Sequence, residues 1–376
     1  MKITNLYVYP IKGLRGIELQ QAQIGPRGVK YDRSFILYDA RKPGGEVKAM
    51  QLAGHTKCAL FEQQIAPGDD DEQPSVVVRY HRPPKDAQPE GSKEDDELVE
   101  ATIKVPLEPD ISSLKTVSVD LHGSPASAYR MGDPFDAWFS FWFGHPTILV
   151  CIGDARRAVL GTTMLPKQAT ASQTQEPPQN KGGGWTSSLA SFVTGSSSSS
   201  QAQEPQPEKP WLTFTDVAPL LVTSESSLRD VSARLPANQP MSMYKFRPNV
   251  VVDGEGEAAW AEDFWAELSI TAAAAGTQKK YRLMLTGNCG RCTSLNVDYE
   301  TGKPAAGELG TVLKKLMKDR RVDPGIKWSP VFGRYAFVAR GGGEDSEEEF
   351  ITVSVGDEVE VTSRLAERTV WDWPGL

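Results

Sequence analysis

Short runs of alternating apolar and polar residues, separated by glycine and proline, fill the first third of this 376-residue chain. They occupy residues 3–9, 35–38, 76–80, 102–105 and 116–121. A period of two places successive side chains on opposite faces of a β-strand, and the turn residues recur at the spacing typical of a β barrel or sandwich. The pattern therefore predicts a β-barrel-like domain at the start of the chain.

The second half of the sequence also favours strands, with a few helices between them. Strands are predicted at residues 148–152, 220–223, 250–252, 281–285, 294–297, 335–339, 351–355 and 357–361. Asp133 is predicted to cap an aromatic helix that ends at Gly144, and Ser224 to cap a second helix. Residues 260–268 form an amphipathic stretch, and residues 311–317 are predicted to be helical. The predicted fold class is mainly β with some helices (α+β).

A change of composition divides the chain. Residues 166–210 are rich in Gln, Ser, Pro and Gly, and this composition predicts an insertion without a packed core. The predicted organisation is a β-barrel-like domain at 1–130, a helix and strand packing between domains at 131–165, the insertion at 166–210, a second β domain at 211–363 and a tail at 364–376.

The charge balance excludes one class of protein and permits one kind of site. The chain has 49 acidic and 41 basic residues, a formal net charge of −8, which argues against a nucleic-acid binder because such proteins displace counterions with a basic surface. Thirteen of the carboxylates lie in three runs, 69–72, 94–97 and 344–349. The remainder of the chain can therefore carry a local basic site for a small anion.

The cellular compartment is predicted from what the sequence lacks. Four cysteines are too few for the disulfide framework of a small secreted domain. The chain starts directly with a strand-like run instead of a targeting presequence, and no apolar run approaches the ~18 residues needed to span a bilayer. We therefore expect a cytoplasmic protein without a transmembrane segment, with mitochondrial association left open.

The motif Cys289-Gly-Arg-Cys292 is the most specific chemical feature. A zinc site would need a second Cys or His pair at the usual spacing, and an iron–sulfur cluster would need four suitably spaced cysteines; the sequence has neither. A thioredoxin-like pair would be expected where a strand enters a helix, but the segments on both sides of this motif are predicted to be strands. The remaining interpretation is one thiolate acting as a nucleophile or as a ligand to a soft or high-valent metal, with Arg291 favouring its ionised form.

Three cations occupy turn-like positions beside Gly, Pro or Asn. They are Lys12 in Tyr9-Pro-Ile-Lys-Gly13, Arg33 after Asp32, and Arg247 in Phe246-Arg-Pro-Asn249. Turn backbones let amide groups and cations converge on an anion such as phosphate, and arginine offers a planar two-point contact. For each cation taken alone, a surface ion pair such as that of Asp32 with Arg33 is the favoured interpretation, and the sequence does not show that the three cations meet.

A longer series of motifs carries a family resemblance. In chain order the series is Tyr9-Pro-Ile-Lys-Gly13, Asp32-Arg33 with Phe35, Phe246-Arg-Pro-Asn-Val250, Trp260-Ala-Glu-Asp-Phe-Trp265, Asn288-Cys-Gly-Arg-Cys292, Val297-Asp298 with Thr301-Gly302, and Ser329-Pro-Val-Phe-Gly333. It resembles the MOSC-domain proteins, and among them the mitochondrial amidoxime reducing component family. The resemblance covers nearly the whole chain outside the low-complexity segments.

The resemblance implies a MOSC N-terminal β-barrel-like domain followed by a MOSC β barrel, which together bind one molybdenum cofactor (Mo-molybdopterin). Cys292 matches the cysteine that binds molybdenum and is the implied catalytic and metal-binding residue, while Cys289 is expected to be structural. The implied cofactor-binding residues are Lys12, Gly13, Arg33, Asp216, Arg247, Asn249 and Arg291. Gly13 replaces a common Ser, and Val217 and Ala218 replace a Thr-Ser pair, so side-chain hydroxyls are lost.

The implied activity is that of an oxidoreductase that reduces small N-hydroxylated compounds such as amidoximes and hydroxylamines. No dinucleotide, haem or cluster motif is present in the sequence, so the electrons are expected from partner proteins. The resemblance suggests cytochrome b5 and its reductase. Because cytochrome b5 is itself acidic, the acidic runs of this chain are expected to oppose its approach.

Two other functions are compatible with the same motifs. One is sulfur transfer or cofactor carriage, as in the C-terminal domain of molybdenum cofactor sulfurases, with pyridoxal phosphate binding as a family-level alternative. The other is a non-catalytic interaction protein whose site has decayed through the lost hydroxyls. Bound molybdenum that changes redox state with an N-hydroxylated substrate would support the oxidoreductase.

Overall fold

The structure is a computed structural model that describes residues 1–42, 47–69, 72–84, 101–162, 165, 210–274, 277–339 and 350–375. The first half contains β1 (Lys2–Val8), β2 (Ile11–Lys12), β3 (Ile17–Leu19), β4 (Gln21–Gly25), β5 (Gly28–Val29), β6 (Phe35–Asp39), β7 (Lys48–Ala49), β8 (Phe61–Ala66), β9 (Ser75–Tyr80), β10 (Thr102–Pro106), β11 (Lys115–Leu121), β12 (Ser124–Arg130), α1 (Phe135–Phe143), β13 (Thr147–Cys151) and β14 (Arg157–Ala158). The second half contains β15 (Trp211–Leu212), β16 (Leu220–Ser224), α2 (Glu225–Ala233), β17 (Val250–Asp253), β18 (Trp265–Ala274), β19 (Thr277–Gly290), β20 (Val297–Asp298), β21 (Lys303–Pro304), α3 (Val312–Leu316), β22 (Val331–Val338), β23 (Ile351–Ser354) and β24 (Glu358–Arg364).

Seven strands close into a barrel in the order β17-β16-β22-β19-β18-β24-β1, with β1 pairing back onto β17. Every pairing is antiparallel except that of β16 with β17. All seven strands contribute apolar side chains to one core, which includes Leu6, Val222, Val250, Leu268, Leu283, Ala336 and Val359. The predicted mainly β fold is therefore confirmed, with 41% of the described residues in strands.

The first strand of the chain belongs to this barrel. Ile3 of β1 pairs with Val252 of β17, and Lys2 pairs with Glu358 of β24. A strand from the predicted 1–130 domain therefore closes a barrel whose other six strands lie between residues 220 and 364. The proposed domain limits stay a prediction, because sequence order and strand order differ here.

The N-terminal half builds a six-stranded sheet and a three-stranded sheet around an aromatic core. The six-stranded sheet has the order β11-β12-β13-β6-β2 with β7 beside β6, and the smaller sheet has the order β10-β9-β8. Helix α1 packs its aromatic face against the smaller sheet, with ring centroids of Phe143 and Phe61 4.7 Å apart and those of Trp142 and Tyr80 4.3 Å apart. The helix is thus a core element of the N-terminal half.

Helix ends follow the predicted signals with one shift. Gly144 ends α1 in the left-handed conformation, and the Ser224 hydroxyl accepts the backbone N–H of Ser226 at the start of α2. The N-cap of α1, however, is Pro134, and the Asp133 carboxylate accepts the backbone N–H of Ala137 at 3.2 Å. The predicted capping carboxylate is therefore present, one residue outside the cap position.

Three other local predictions differ from the structure. Residues 294–297 are not a strand: Thr293–Asn296 form a 3-10 turn, because the Asn296 side chain accepts the backbone N–H of Leu313 and docks this segment onto α3. The amphipathic stretch at 260–268 is a 3-10 turn, Ala261–Phe264, followed by β18. Only part of the predicted third helix is α-helical, since Gly307–Thr311 is a 3-10 turn before α3.

Two sequence predictions fall largely outside the described part of the chain. The low-complexity insertion lies there except for its last residue, and so do most residues of the three acidic runs. Across the ranges that the structure describes, no helix combines the length and the apolarity needed to cross a bilayer.

Candidate functional site

All eight predicted site residues line one cleft. They come from the segments that follow β1 and β19 and from those that precede β6, β16 and β17. The predicted residues in the lining are Lys12, Gly13, Arg33, Asp216, Arg247, Asn249, Arg291 and Cys292. The structure thus brings together residues that are 280 positions apart in the sequence.

Lys12 and Asp216 form an ion pair in the wall of the cleft. The distance between Lys12 Nζ and Asp216 Oδ1 is 2.5 Å, and His122 Nε2 lies 3.1 Å from the same oxygen. Burial lowers the pKa of Lys12 to about 8, although Asp216 acts in the opposite direction. Burial favours the neutral form of Asp216, but Lys12 and His122 hold its pKa well below the usual range. At neutral pH the carboxylate is therefore ionised.

His122 was not predicted as a site residue. It lies in the turn between β11 and β12 with φ = 60°, and its backbone carbonyl accepts the indole N–H of Trp373 at 2.8 Å. The contact with Asp216 spans 94 residues, so no local spacing in the sequence could have indicated it.

Arg33 and Arg247 are held around the ring of Tyr9. Their guanidinium carbons lie 4.2 Å and 4.3 Å from the ring centroid. Arg33 also donates to Asp32 at 2.5 Å, to the Asn249 side-chain oxygen at 3.2 Å and to the Arg247 carbonyl at 3.1 Å. Both arginines have a left-handed backbone, with φ of 47° and 55°. Tight turns and an aromatic support therefore orient both cations.

Three of the five cations in the lining have no carboxylate partner among the described residues. Arg247 donates to the Leu14 carbonyl at 2.8 Å, and Arg291 donates only to backbone carbonyls, those of Phe246 and Phe332. The third is Lys245, which is 8% exposed and which the sequence analysis missed, although it stands two residues before Arg247. Its pKa is lowered by burial, with Asp298 opposing.

The charges of the lining do not balance. The cations are Lys12, Arg33, Lys245, Arg247 and Arg291, whereas Asp216 is the single carboxylate among the described lining residues. Buried charge without a partner is costly, so such a cleft is suited to an anionic ligand. The Thr215 hydroxyl, which also lines the cleft, is buried without a hydrogen-bond partner in the described structure and is free to contact that ligand.

The two cysteines of the motif have different surroundings. Strand β19 runs through Cys289, whose buried side chain lines the cleft and whose thiol pKa is raised by burial. Cys292 follows the strand, is exposed, and places its sulfur 3.2 Å from the Ser294 hydroxyl oxygen. Both thiols are free. Cys292 is therefore the thiol that a group bound in the cleft can reach.

Gly290 lets this loop pass close to its neighbour. A Cβ atom at this position would lie 2.7 Å from Ile326 Cδ1. Among the described residues, no group of three or more His, Cys, Asp or Glu side chains could hold a metal ion. A metal at Cys292 would therefore take most of its ligands from a bound organic group.

The residues that depart from the family pattern are accommodated by the backbone. Gly13 has φ = 92°, a conformation that a serine side chain would strain, and its Cβ would lie 3.1 Å from the Met50 carbonyl oxygen. Val217 packs in an apolar cluster with Trp371 and Trp373. Thr215, one residue before Asp216, still offers a hydroxyl to the cleft.

Comparisons with known proteins agree with this architecture. Mitochondrial amidoxime-reducing component 1 of Danio rerio is 34% identical over 137 residues, which are 36% of this chain and 37% of that protein. The Homo sapiens protein of the same name is 34% identical over 155 residues, 40% of this chain and 39% of that protein. Molybdenum cofactor sulfurase of Homo sapiens is 22% identical over 318 residues, 80% of this chain and 27% of that protein. Each match spans less than two fifths of the relative.

Two family matches cover most of the chain. The MOSC N-terminal beta barrel domain matches residues 1–146, and the MOSC domain matches residues 209–360. They are in the order that the motif series predicts, and the seven-stranded barrel is built mainly from the second match. The chain therefore belongs to the family of MOSC-domain proteins.

Proposed function

We propose that this protein binds the molybdenum cofactor and is an oxidoreductase that reduces N-hydroxylated compounds such as amidoximes and hydroxylamines. The observation that carries the proposal is an exposed thiol, Cys292, on a cleft whose lining has five cations and one carboxylate. The relatives add support, because their names refer to amidoxime reduction and to the molybdenum cofactor.

The residues of the cleft fit a cofactor that bears a phosphate. Arg33 and Arg247 both lie against the Tyr9 ring and would hold the phosphate through charge-assisted hydrogen bonds. Lys12 adds a third cation, and the Thr215 hydroxyl provides a neutral contact. Such a ligand would offset the excess positive charge of the lining, and the cations without a carboxylate partner would in turn favour its binding.

When bound, the cofactor would supply a two-electron redox centre, and the Cys292 thiolate would be the protein's ligand to its metal. Reduction of R–NH–OH to R–NH₂ consumes two electrons and two protons, breaks the N–O bond and releases water. Because Cys292 is exposed, a small substrate can reach this position from solvent. Lys12 Nζ, whose pKa is about 8, is held by Asp216 and can keep a proton at the inner edge of the cleft.

The electrons are proposed to come from a partner, because the described residues offer no second redox site. Cytochrome b5 with its reductase is the partner pair that the family resemblance suggests. The curated relatives are named mitochondrial, and a cytoplasmic location with mitochondrial association stays a prediction for this chain.

The first test is cofactor content. Molybdenum is measured by elemental analysis and pterin by fluorescence after oxidation, on protein made in a host that synthesises the cofactor. Wild type and the control Cys151→Ala, which removes a buried thiol away from the cleft, are expected to hold near-equal amounts of metal, pterin and protein. Cys292→Ser is expected to lose the metal or its thiolate signature. Wild-type protein without metal and pterin would contradict the proposal.

Activity is tested on the same samples. Benzamidoxime is the substrate and dithionite-reduced methyl viologen the electron source, so no partner protein is needed. Wild type and Cys151→Ala should form benzamidine, and Cys292→Ser should not. A loaded wild type without turnover would refute the reductase activity while leaving cofactor binding intact.

Sulfur transfer or cofactor carriage is the second candidate. It is favoured by the second thiol in the lining, Cys289, and by the sulfurase match over 80% of this chain. In that case the bound cofactor should move to a cofactor-free acceptor protein, and Cys289→Ala should impair the transfer. Retention of the cofactor together with redox turnover would exclude this candidate.

A further inference from the structure

A strongly basic segment interrupts an otherwise acidic chain. Residues 312–330 contain six lysines and arginines and two aspartates, whereas the whole chain has a formal net charge of −8. The exposed cations that form no ion pair with a described residue are Lys314, Lys318, Arg321 and Lys327. Asp319 is already paired with Arg234 at 2.6 Å. The segment therefore presents a local excess of positive charge to solvent.

This segment encloses the loop that bears Cys292. On one side, α3 packs on the 3-10 turn Thr293–Asn296. On the other side, the Arg291 backbone N–H donates to the Pro330 carbonyl at 2.8 Å, and Ile326 packs over Gly290. The exposed cations thus flank the part of the cleft at which the metal-binding thiol is proposed to lie.

A large aromatic side chain lies on the same segment. Trp328 is 71% exposed, and Lys327 Nζ lies 5.2 Å from the centroid of its ring. Tryptophan is enriched at the centres of protein interfaces, where it supplies large contact area. A tryptophan that is this exposed, among cations and beside a proposed redox site, is suited to contact with a partner.

We propose that the basic surface, defined as Lys314, Lys318, Arg321, Lys327 and Trp328, docks an acidic one-electron donor protein. The inference rests on the proposed function, since it assigns the electron-entry side of that site. Two successive encounters supply the two electrons for each N–O bond reduced, each oxidising one donor molecule, and the two protons come from solvent. Weak redox complexes are small and steered by charge, which matches a compact basic surface.

The basic surface also offsets the repulsion that the acidic runs of this chain are expected to exert on an acidic partner. The attraction between exposed charges is screened within ~10 Å at ordinary ionic strength, so the local charge around the docking site governs association more than the net charge of the chain.

The test measures association with a defined probe, the soluble haem domain of cytochrome b5, by stopped-flow reduction of the loaded protein at low and high salt. The triple variant Lys318→Glu/Arg321→Glu/Lys327→Glu should reduce the association rate constant ~100-fold at low salt and reverse its salt dependence. Trp328→Ala should weaken the complex ~10-fold, mainly through faster dissociation.

A matched control separates the local effect from the change in net charge. Lys2→Glu/Lys115→Glu/Lys280→Glu reverses three exposed lysines on other elements and alters the net charge equally. Its association rate should stay within about threefold of wild type, as expected for charges beyond the screening length. Equal losses in both triple variants would overturn the proposal.

The remaining outcomes are also decisive. Turnover with reduced methyl viologen should be unchanged in the basic-surface variant, so loss of that turnover would mean that the substitutions damage the site itself and would overturn the docking proposal. If wild type lacks turnover with both electron sources, the proposed function fails, and binding of the oxidised haem domain measured by surface plasmon resonance, which needs no electron transfer, still decides the docking claim. Binding to vesicles containing phosphatidylserine but not to the haem protein would overturn it in favour of a membrane.

Discussion

Two clusters of buried and partly buried cations in this protein differ in how their charge is compensated. In the cleft, five cations face one lining carboxylate. In the second, here named the arginine cluster (Arg320, Arg334 and Arg368 around Asp263), the Asp263 carboxylate accepts from Arg320 at 2.8 and 2.9 Å and from Arg368 at 2.8 Å. Arg334 donates to the Asp263 carbonyl and to Asn288 Oδ1 at 2.9 and 2.8 Å.

The difference indicates that the arginine cluster stabilises the fold, whereas the cations of the cleft are available to bind a ligand. The arginine cluster satisfies its charges internally, and the Asn288 amide extends it to the buried carboxylate of Asp323. The cleft leaves cations with only carbonyl partners, which is unfavourable for the folded protein until an anion arrives. Residue type alone would not distinguish the two clusters, because both contain several arginines.

The largest effect is expected from breaking the balanced cluster. Asp263→Ala would leave Arg320 and Arg368 without a counter-charge in the barrel wall, and we expect it to lower the free energy of unfolding by about 3–5 kcal/mol. Urea unfolding measures the change. The control Asp319→Ala removes an exposed partner of Arg234 and should cost less than about 1 kcal/mol. Similar losses for both would contradict the proposed difference.

The converse experiment removes a cation from the cleft. Arg247→Met should change the unfolding free energy of cofactor-free protein by less than about 1 kcal/mol, because no carboxylate is left unpaired, but should weaken retention of the cofactor ~100-fold. Arg368→Met in the arginine cluster should show the opposite pattern, with lower stability and normal retention. Unfolding curves and pterin content test both variants, and identical behaviour would refute the comparison.

Glu262, the residue before Asp263, provides a pH-dependent test of the arginine cluster. Burial raises its pKa to about 7, and its carboxylate accepts a hydrogen bond from the Ser227 hydroxyl at 2.8 Å. A raised carboxyl pKa means that the folded state binds the proton more tightly, so stability falls as pH rises from about 4.5 to 7. Glu262→Gln should therefore stabilise the protein by about 2 kcal/mol at pH 8 and by little at pH 4.5. The exposed control Glu358→Gln should show no such pH dependence.

The smallest expected effect concerns the cleft at alkaline pH. Because burial lowers the pKa of Lys12 to about 8, the free protein loses this proton above pH 8, and an anion that needs the charge must restore it. Affinity for inorganic phosphate, measured by calorimetry on cofactor-free protein, should fall ~5-fold from pH 8 to pH 9. Lys12→Arg should remove the dependence. A wild-type affinity that is constant over this range would contradict the role of Lys12.

The sequence predicted the parts of the site that depend on turns. Lys12, Arg33 and Arg247 stand in short motifs with Gly, Pro or Asn, and their turns do place them in one cleft. The contribution of His122 could not be predicted, because a hairpin brings it to Asp216 across 94 residues. Long-range contacts of this kind depend on the packing of whole elements, which no local pattern contains.

The same reason explains the errors in the fold. The 3-10 turn Thr293–Asn296 contains apolar residues at strand-like spacing, but a tertiary contact from Asn296 to α3 determines its conformation. The alternation in β1 predicted a strand, and the strand is present, but alternation does not name the partner strands. Secondary structure was therefore more predictable than the identity of each strand's neighbours.

The pairing of β1 has a consequence for biosynthesis. Strand β3, with which β1 also pairs, follows it closely in the chain, but its barrel neighbours β17 and β24 are translated about 250 and 350 residues later. Contacts with such large sequence separation form slowly, and the edge of β1 that later pairs with β17 is prone to aggregation until that strand is available. Lys12, which lines the cleft, follows β1 directly in the chain. Closure of the barrel and formation of the cleft are therefore one late event. Capture of the proposed cofactor would thus be deferred until nearly the entire polypeptide has been synthesised.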